Sequence, residues 1–332
     1  MRPDADKPRT ILITGAAGNL GSILARHLAG SPHRLRLMTH KKPLPSDLLA
    51  AANVEEVRAD LARPETLEPA ARGVDSVVHF AGVLFAPRPD RFLPVTNTRW
   101  FANLLDACLA ARVERVVLVS FPHVEGPTTP ERPATGRLDG KPVSVHARTR
   151  LEEERLLFAR TQGSPTAPVS LRLGMVYGRG ILMVEAARWL ARHRLLGVWR
   201  EPTSIHLIST EDYLRATAAA AIRPGIRGIY HVGDERPITL QEFLDGACRA
   251  WGVPPPRRLP FWMVRLAAAL CELGAGVLGT RAWLTRDFVE IGRVSYWGDT
   301  RRAREELAAD LAYPTFEEGK ATLGGCGGQA GG

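Results

Sequence analysis

Hydrophobic and polar positions alternate along the first half of the chain with two periods. Short apolar runs typical of buried strands are followed by stretches with helical periodicity, which predicts repeated β-α-β units and a parallel sheet. A segment rich in Pro and Gly, 121–144, interrupts this pattern, and so long a loop in a compact domain is usually functional or mobile. The predicted strands are 10–14, 34–39, 54–58, 76–80, 115–120 and 169–173, and the predicted helices are 19–29, 98–111 and 145–161.

The regular alternation ends near residue 178. Helices predicted at 182–193 and 211–222 are mixed with short strands near 205–208 and 228–232, which is typical of a smaller α+β lobe. We therefore predict an α/β protein with a doubly wound parallel sheet over residues 8–178 and a smaller C-terminal lobe over residues 179–323, interleaved with it. The last nine residues, 324–332, have no large apolar side chain and are predicted to be disordered.

Composition and charge argue against several classes of function. The 332 residues are 45% hydrophobic, and the formal charge of +9 comes mostly from Arg, because only five of the 44 basic residues are Lys. The Arg residues are dispersed instead of forming blocks, which argues against a nucleic-acid partner. Four Cys without paired spacing predict neither a disulfide framework nor a metal site. A polar N-terminus without signal-peptide character then indicates a cytoplasmic protein.

The longest apolar stretch is 261–279. It contains Arg265 and Glu272, and charges at those depths argue against a membrane span. We interpret it as a helix buried in the lobe or in an interface with a protein partner or a second copy of the chain. Contact with a membrane surface is the alternative.

A glycine-rich loop directly follows the first predicted strand and opens the first helix. Gly15 permits a tight turn, Gly18 lets the backbone approach a pyrophosphate, and Gly21 allows close packing of helix and strand. Asn19 and Leu20 lie within the same turn. The loop therefore predicts a dinucleotide site at the start of the chain.

The end of the second strand indicates which dinucleotide is preferred. An acidic residue there would bind the adenosine ribose hydroxyls, but the chain has His40, Lys41 and Lys42 instead. These cations favour a 2′-phosphate, so we expect NADP(H) to be preferred over NAD(H). The alternative is a solvated basic loop.

The order of these motifs resembles the extended short-chain dehydrogenase/reductases, which include nucleotide-sugar epimerases and dehydratases. The match begins with the glycine spacing of residues 14–21 and runs nearly the whole chain. The resemblance implies a Rossmann-type sheet and further cofactor contacts. These contacts are expected from Asp60 and Leu61 at the adenine, from Ala81 and Gly82 in the segment 75–82, and from Gly174 and Val176 in the segment 171–178. Asn97 lies where the family has an Asn in the helix that follows the fourth strand.

Members of that family use a Ser, a Tyr and a Lys four residues after the Tyr. On a helix such a pair lies on one face, so the ammonium can stabilise a phenolate. None of the five Tyr is followed four residues later by Lys. Alignment with the family places His146 at the Tyr position, Arg150 at the Lys position and Phe121 at the Ser position. Ser120, one residue earlier, is the candidate for the displaced serine.

Two functions follow from this substituted site. In one, His146 is an acid/base of an oxidoreductase or epimerase-like enzyme, Arg150 holds the nicotinamide ribose, and the nearby cation favours neutral imidazole. In the other, the site has lost its chemistry and binds NADP(H) as a sensor or an accessory protein. The small-molecule substrate is not identified by the sequence. Further candidates for lining its cleft are Phe85, Arg88, His123, Trp199 and His206.

Overall fold

The computed structural model describes residues 7–82, 88–278, 282, 284–308 and 310–324. Phe85 and the predicted tail from residue 325 onward lie outside the described residues. Thirteen strands are described: β1 Thr10–Thr14, β2 Arg34–Thr39, β3 Val54–Arg58, β4 Ser76–His79, β5 Arg115–Ser120, β6 Ala167–Leu173, β7 Met175–Tyr177, β8 Gly197–Trp199, β9 Ser204–Ile205, β10 Leu207–Ser209, β11 Gly228–Val232, β12 Ile238–Thr239 and β13 Arg257–Leu259.

Twelve α-helices are described in the same part of the chain. They are α1 Asn19–Leu28, α2 Ser46–Leu49, α3 Leu67–Ala71, α4 Trp100–Ala110, α5 Val145–Arg160, α6 Leu182–Arg192, α7 Thr210–Ile222, α8 Leu240–Ala250, α9 Phe261–Leu278, α10 Arg286–Gly292, α11 Arg301–Glu306 and α12 Phe316–Gly319.

Seven parallel strands form the central sheet, in the order β11-β6-β5-β4-β1-β2-β3. The order reverses between β1 and β4, and in such sheets ligands bind in the crevice at the carboxyl ends of the strands beside this reversal. The predicted α/β class and doubly wound sheet are confirmed. Five of the six predicted strands begin at the expected residue, and the sixth, β6, begins two residues early.

Alternate side chains of the strands enter two separate cores. Ile11 and Ile13 of β1 pack into a core with α1 and α7, whereas Leu12 packs on the opposite face, beside Phe101 of α4. The inner strands β1, β4 and β5 are buried almost throughout and are mostly apolar, because both faces of a parallel sheet are covered. The edge strand β3 is partly exposed and carries two Glu.

The strand Gly228–Val232 differs from the sequence prediction. The pattern assigns it to the smaller lobe, but the structure places it at the edge of the central sheet, parallel to β6, with Tyr230 opposite Leu171. The intervening helix α7 packs back on β4, β5 and β6, so the chain completes another β-α-β unit. Local pattern could not reveal this because the crossover from β6 to β11 passes through the small strands β7 to β10.

The segment 121–144 crosses the carboxyl end of the sheet and meets the C-terminal lobe. Thr128 N donates to the carbonyl of Ser295, and Ala134 N donates to the carbonyl of Trp297. The Glu125 carboxylate accepts from the backbone N–H groups of Gly136 and Arg137. The segment is therefore tied at several points to the lobe that covers it. No helix in the described residues is long and apolar enough to cross a membrane.

Candidate functional site

The glycine loop forms a close backbone cradle at the carboxyl end of β1. Gly15 has φ +71°, and a Cβ there would lie 2.9 Å from the backbone N of Ala81. A Cβ on Gly21 would lie 2.4 Å from the carbonyl oxygen of Gly15. Gly18 is the N-cap of α1 and no side chain caps the helix, so its first N–H groups remain available to a phosphate. These observations fit a dinucleotide pyrophosphate.

Asn19 and Leu20 join this cradle to the C-terminal lobe. The Asn19 side-chain amide donates to the carbonyl of Gly180 at 2.8 Å and accepts from the N–H of Leu182 at 2.9 Å. The carbonyl of Leu20 accepts from the Tyr213 hydroxyl at 2.9 Å. The side chain of Asn19 is therefore engaged in holding the lobe against α1.

The structure brings together the residues predicted for the adenosine end. His40 Nε2 lies 3.3 Å from Asp60 Oδ2, with the His40 side chain half-exposed, and Lys41 is exposed beside it. Leu61 is buried, and its carbonyl accepts from Asn103. At the last residue of β2, the Thr39 hydroxyl donates to the Glu56 carboxylate at 2.7 Å.

At the predicted nicotinamide end of the site, α5 places His146 and Arg150 on one face. Ser144 caps the helix by accepting from Ala147 N at 3.1 Å. Arg150 Nη1 donates to Glu153 Oε2 at 2.7 Å, and both side chains are buried. A Cβ on Gly82 would lie 2.3 Å from Arg150 Nη2, so the guanidinium occupies the space that a glycine leaves open at the end of β4.

Asn97 is buried beside this pair, in a π-helical turn before α4. Its Nδ2 donates to the Thr149 hydroxyl at 3.2 Å, and its Oδ1 has no hydrogen-bond partner in the described residues. Glu153 Oε1 likewise has none. Unsatisfied buried polar atoms are costly, and their presence around Gly82 and Arg150 is consistent with a polar ligand there.

Aromatic rings and imidazoles pack in a row that begins at His146 of α5. The Phe121 ring meets the His146 ring edge to face, with centroids 4.8 Å apart, and contacts His123 at 4.7 Å. His123 in turn lies 4.2 Å from the Tyr296 ring. Phe121, the residue that our alignment with the family predicts at the serine position, thus lies against His146.

The hydrogen bonds of three histidines distinguish their roles. His206 Nε2 bonds the carbonyl of Asp234 and its Nδ1 accepts from Gly298 N, so both nitrogens are satisfied. His123 Nε2 bonds the carbonyl of Val294, while its Nδ1 has no partner. No group in the described part of the chain bonds the ring nitrogens of His146. Of the three, His146 is the one whose donor and acceptor are both free for a ligand.

Burial governs the charge states of this site. Burial, with further contributions from the charges of Arg150 and His123, lowers the pKa of His146 to about 3. The neutral ring expected from the neighbouring cation is therefore found, with burial as the larger cause. Burial also raises the pKa of Glu153 to about 7, against the opposing effect of Arg150. The imidazole is neutral near pH 7 and is too weak a base to remove a proton efficiently.

Ser120 lies apart from this group of residues. Its hydroxyl donates to the Glu154 carboxylate inside the protein, and Glu154 also accepts from Ser170 and pairs with Arg172 at 2.6 Å. The alternation of side chains along β5 turns Ser120 to the buried side and leaves Phe121 beside His146. The structure therefore does not bring Ser120 together with His146.

Gly174 and Val176 are both buried in packing between the sheet and the lobe. Gly174 N donates to the carbonyl of Val232, and a Cβ on Gly174 would lie 2.7 Å from the carbonyl oxygen of His206. Val176 pairs with Ile208 in the register of β7 and β10. Trp199, a cleft candidate, packs against Phe261 instead, and Arg88 is exposed after the undescribed segment.

Sequence reasoning missed Glu153 and Tyr296. Glu153 belongs to a run of three Glu that is typical of a solvated helix face, yet it is fully buried. Its position three residues after Arg150 was the available signal, since such pairs meet on a helix. Tyr296 comes from a distant part of the chain, and no local pattern marks it.

Comparisons with known proteins agree with this geometry. The sequence profile of the NAD dependent epimerase/dehydratase family matches residues 11–217. The chain is 24% identical to the 2-alkyl-3-oxoalkanoate reductase of Shewanella oneidensis, covering 96% of this chain and 86% of that protein. It is 27% identical to the ceramide reductase of Caulobacter vibrioides, covering 83% and 81%.

A similar solved structure is that of the UDP-glucose 4-epimerase of Thermus thermophilus in complex with NAD. The TM-score is 0.72 at 21% identity, covering 95% of this chain and 97% of that one. At this identity the likeness supports the fold, and the family resemblance predicted from the motifs is confirmed by the profile match.

Proposed function

Because the chain belongs to the NAD-dependent epimerase/dehydratase family, we propose that it is an NADP(H)-dependent oxidoreductase that reduces a ketone on a substrate with an alkyl chain. The observation that carries this proposal is the His146 ring, which is buried, neutral and without a hydrogen-bond partner among the described residues. Because the ring is neutral, it can donate a hydrogen bond to a substrate oxygen without needing an anion beside it.

In this proposal some residues bind the cofactor, and His146 polarises the substrate ketone. A nicotinamide dinucleotide held by the glycine loop, with its 2′-phosphate at His40 and Lys41, would supply the hydride. Arg150 is oriented by Glu153 and holds a fixed positive charge beside Gly82. His146 donates a hydrogen bond from its neutral N–H to the ketone oxygen and stabilises the negative charge that develops there. Solvent supplies the proton that completes the alcohol.

The lining of the site favours an apolar substrate. The Phe121 ring packs on His146, the His123 ring on Phe121 and the Tyr296 ring on His123. Burial lowers the pKa of His123 to about 4, so this ring too is neutral. Neutral rings bury alkyl chains well and do not neutralise phosphates. The names of two relatives, a 2-alkyl-3-oxoalkanoate reductase and a ceramide reductase, point to the same class.

The substrate proposal is tested by NADPH oxidation with 3-oxo esters of increasing chain length. Each buried CH₂ contributes about 0.8 kcal/mol, so kcat/KM should rise about fourfold per carbon until the chain fills the site. UDP-glucose should give no turnover. Equal rates along the series, or turnover of UDP-glucose alone, would contradict an alkyl site.

The role of His146 is tested with a pair of substitutions. His146→Ala should lower kcat/KM by roughly 10²- to 10³-fold, because it removes a donor to the developing oxyanion, and should leave NADPH affinity unchanged. His27→Ala, on the exposed side of α1, is the control and should behave as the wild type. Unchanged turnover in His146→Ala would remove this residue from the mechanism.

Cofactor preference is measured by fluorescence titration with NADPH and NADH. We expect NADPH to bind at least tenfold more tightly, because His40 and Lys41 face the 2′-phosphate. Lys41→Ala should weaken NADPH binding and leave NADH binding unchanged, whereas Lys7→Ala should alter neither. Equal affinities in the wild type would contradict the phosphate pocket.

A non-catalytic NADP(H) sensor or accessory protein is the second candidate. It is favoured by the Arg150–Glu153 pair, because a guanidinium that cannot release its proton takes the place of the family's Lys. Tight NADPH binding without oxidation across ketones, quinones and nucleotide sugars would support this candidate over the enzyme.

A further inference from the structure

The outer face of α9 is apolar although it is exposed. Its large side chains are between 39% and 78% exposed, and they comprise Trp262, Met263, Leu266, Leu270, Leu273 and Val277. At 100° per residue these six positions fall within an arc of about 100°. We call them the α9 stripe.

The opposite face of α9 holds the helix on the protein. Val264, Ala268 and Ala275 are buried, and α10 packs alongside. Glu272 is turned inward, where it accepts from the backbone N–H of Arg286 and pairs with the Arg286 side chain at 2.9 Å. A helix on the surface of a protein in water normally turns its polar residues toward solvent. In α9 the large apolar residues face solvent instead, and the Glu272 side chain faces the protein.

The charges around the stripe are predominantly positive. Residues 257–293 contain six Arg and three acidic residues. Glu272 pairs with Arg286, Glu290 pairs with Arg265, and Arg258 pairs with Asp245 outside this range. The range and Asp245 together carry a net charge of +2. Arg257, in the strand before the helix, is exposed. The chain as a whole carries +9, so a negatively charged surface is attracted to this face.

We propose that the α9 stripe docks on the surface of an anionic lipid bilayer. An apolar helix face that lies in the interface, flanked by Arg and carrying a Trp, is the arrangement that binds headgroups and inserts some 5–10 Å into the acyl boundary. The helix lies along the protein on its buried face, so it contacts the membrane without crossing it.

The stripe suits a bilayer better than a second copy of this chain. The spacing of Leu266, Leu270, Leu273 and Val277 resembles a coiled-coil seam, but paired helices also need charges of opposite sign beside the seam. The flanking positions here are mainly Ala and Gly, with Arg265 as the charged residue. Two such faces would therefore lack the opposite charges that hold paired helices together, whereas anionic lipid would complement the net positive charge of the surrounding residues.

Docking there would give the site access to alkyl substrates dissolved in the membrane. This consequence of docking rests on the proposed function. The docking itself rests on the stripe and its charges alone. It is therefore tested without turnover, so that failure of the binding and failure of the enzymatic proposal are separate results.

The experiment is co-sedimentation of the full chain with vesicles. Vesicles of phosphatidylcholine with 30 mol% phosphatidylglycerol should bind the protein at least tenfold more tightly than phosphatidylcholine alone, and 0.5 M NaCl should weaken the binding. The variant Leu266→Ser/Leu270→Ser/Leu273→Ser should lose at least tenfold in affinity. The matched control Leu49→Ser/Val143→Ser/Leu182→Ser, at exposed apolar positions elsewhere, should bind as the wild type.

Circular dichroism and NADPH affinity establish that both triple variants are folded. The proposal is overturned if the wild type ignores both kinds of vesicle or if the stripe variant binds as tightly as the wild type. It is also overturned if sedimentation velocity shows a wild-type dimer that the stripe variant converts to a monomer, since the stripe would then join two copies.

Discussion

The hydrogen bonds of the ring nitrogens distinguish the histidine that is available to a ligand from the histidines that support the fold. His206 and His79 are each committed to a partner inside the fold, the former to Asp234 and Gly298 and the latter to the Thr14 hydroxyl at 2.8 Å. His146 has no such partner in the described residues. Alignment of the sequence with the family could predict His146 at the Tyr position. It could not predict the free ring nitrogens, because these depend on residues from other elements.

The contacts of Ser120 could not be predicted from its position in the sequence. Sequence places it one residue from the expected serine, and only the direction of its side chain decides its contacts. In the structure that direction leads to Glu154. A one-residue shift in a strand turns a side chain to the other face of the sheet, so alignment alone could not settle which of Ser120 and Phe121 faces the site.

One residue-scale prediction concerns the glycine cradle. Gly21→Ala places a Cβ 2.4 Å from the Gly15 carbonyl oxygen, which forces backbone to move. We expect at least a tenfold loss of NADPH affinity and destabilisation of about 1–3 kcal/mol. Gly274→Ala, where a Cβ meets nothing within 4 Å in α9, is the control and should stabilise the helix by about 0.5–1 kcal/mol. Equal NADPH affinity in the two variants, from fluorescence titration, would contradict the cradle.

Among the secondary-structure elements, α5 connects the site to the core. The face that carries His146 and Arg150 continues one turn further to Glu154, which meets Arg172 of β6. Arg172 also pairs with Glu125 from the loop that follows β5. The helix was predicted within one residue of its end because its cap and flanking strand are local features. The burial of Glu154 was missed because its partner comes from β6.

Removing Arg172 should unfold much of this arrangement. Arg172→Met leaves the buried carboxylates of Glu125 and Glu154 without their cation, and breaking a buried pair typically costs about 3–5 kcal/mol. Arg72→Met removes an exposed pair with Glu68 and should cost less than about 1 kcal/mol. Urea unfolding of the two variants gives the comparison. Similar costs would show that the buried pairs do not support the fold.

Across the whole molecule, buried histidines make stability depend on pH. Burial is the largest cause that lowers the pKa of four of them, to about 3 or about 4: His79, His123, His146 and His206. Unfolded histidines have a pKa near 6.5, so below that pH the unfolded chain binds protons that the folded chain does not. Acidification below about pH 6.5 therefore favours unfolding through these groups.

Two buried carboxyls act in the opposite sense. Burial raises the pKa of Asp234 to about 8 and that of Glu153 to about 7. As pH falls from 8 to 6.5, the folded chain binds protons that the unfolded chain does not, and stability rises. We expect maximal stability between about pH 6 and 7, with a loss of roughly 2 kcal/mol per pH unit below pH 6. Urea unfolding from pH 4.5 to 8.5 measures this curve, and a flat profile from pH 6 to 5 would contradict the neutral buried rings.

At the same scale, the sequence predicted the parallel sheet and the family but not the edge strand β11 or the meeting of Tyr296 with His123. Periodicity and glycine spacing depend on neighbouring residues, whereas these features join segments far apart in the chain. The α9 stripe could be predicted only in part. Its apolar run is visible in the sequence, but which side faces outward is fixed by its packing against α10.

The central claim is that the chain transfers hydride although His146 and Arg150 replace the family's Tyr and Lys. The most direct measurement is the mass of the product after a single turnover with NADPH deuterated at the transferable C4 position and a long-chain 3-oxo ester. The account predicts a 3-hydroxy ester that contains one deuterium, formed by the wild type and at least a hundredfold more slowly by His146→Ala. Unchanged ester and intact deuterated NADPH after prolonged incubation with the wild type would contradict it.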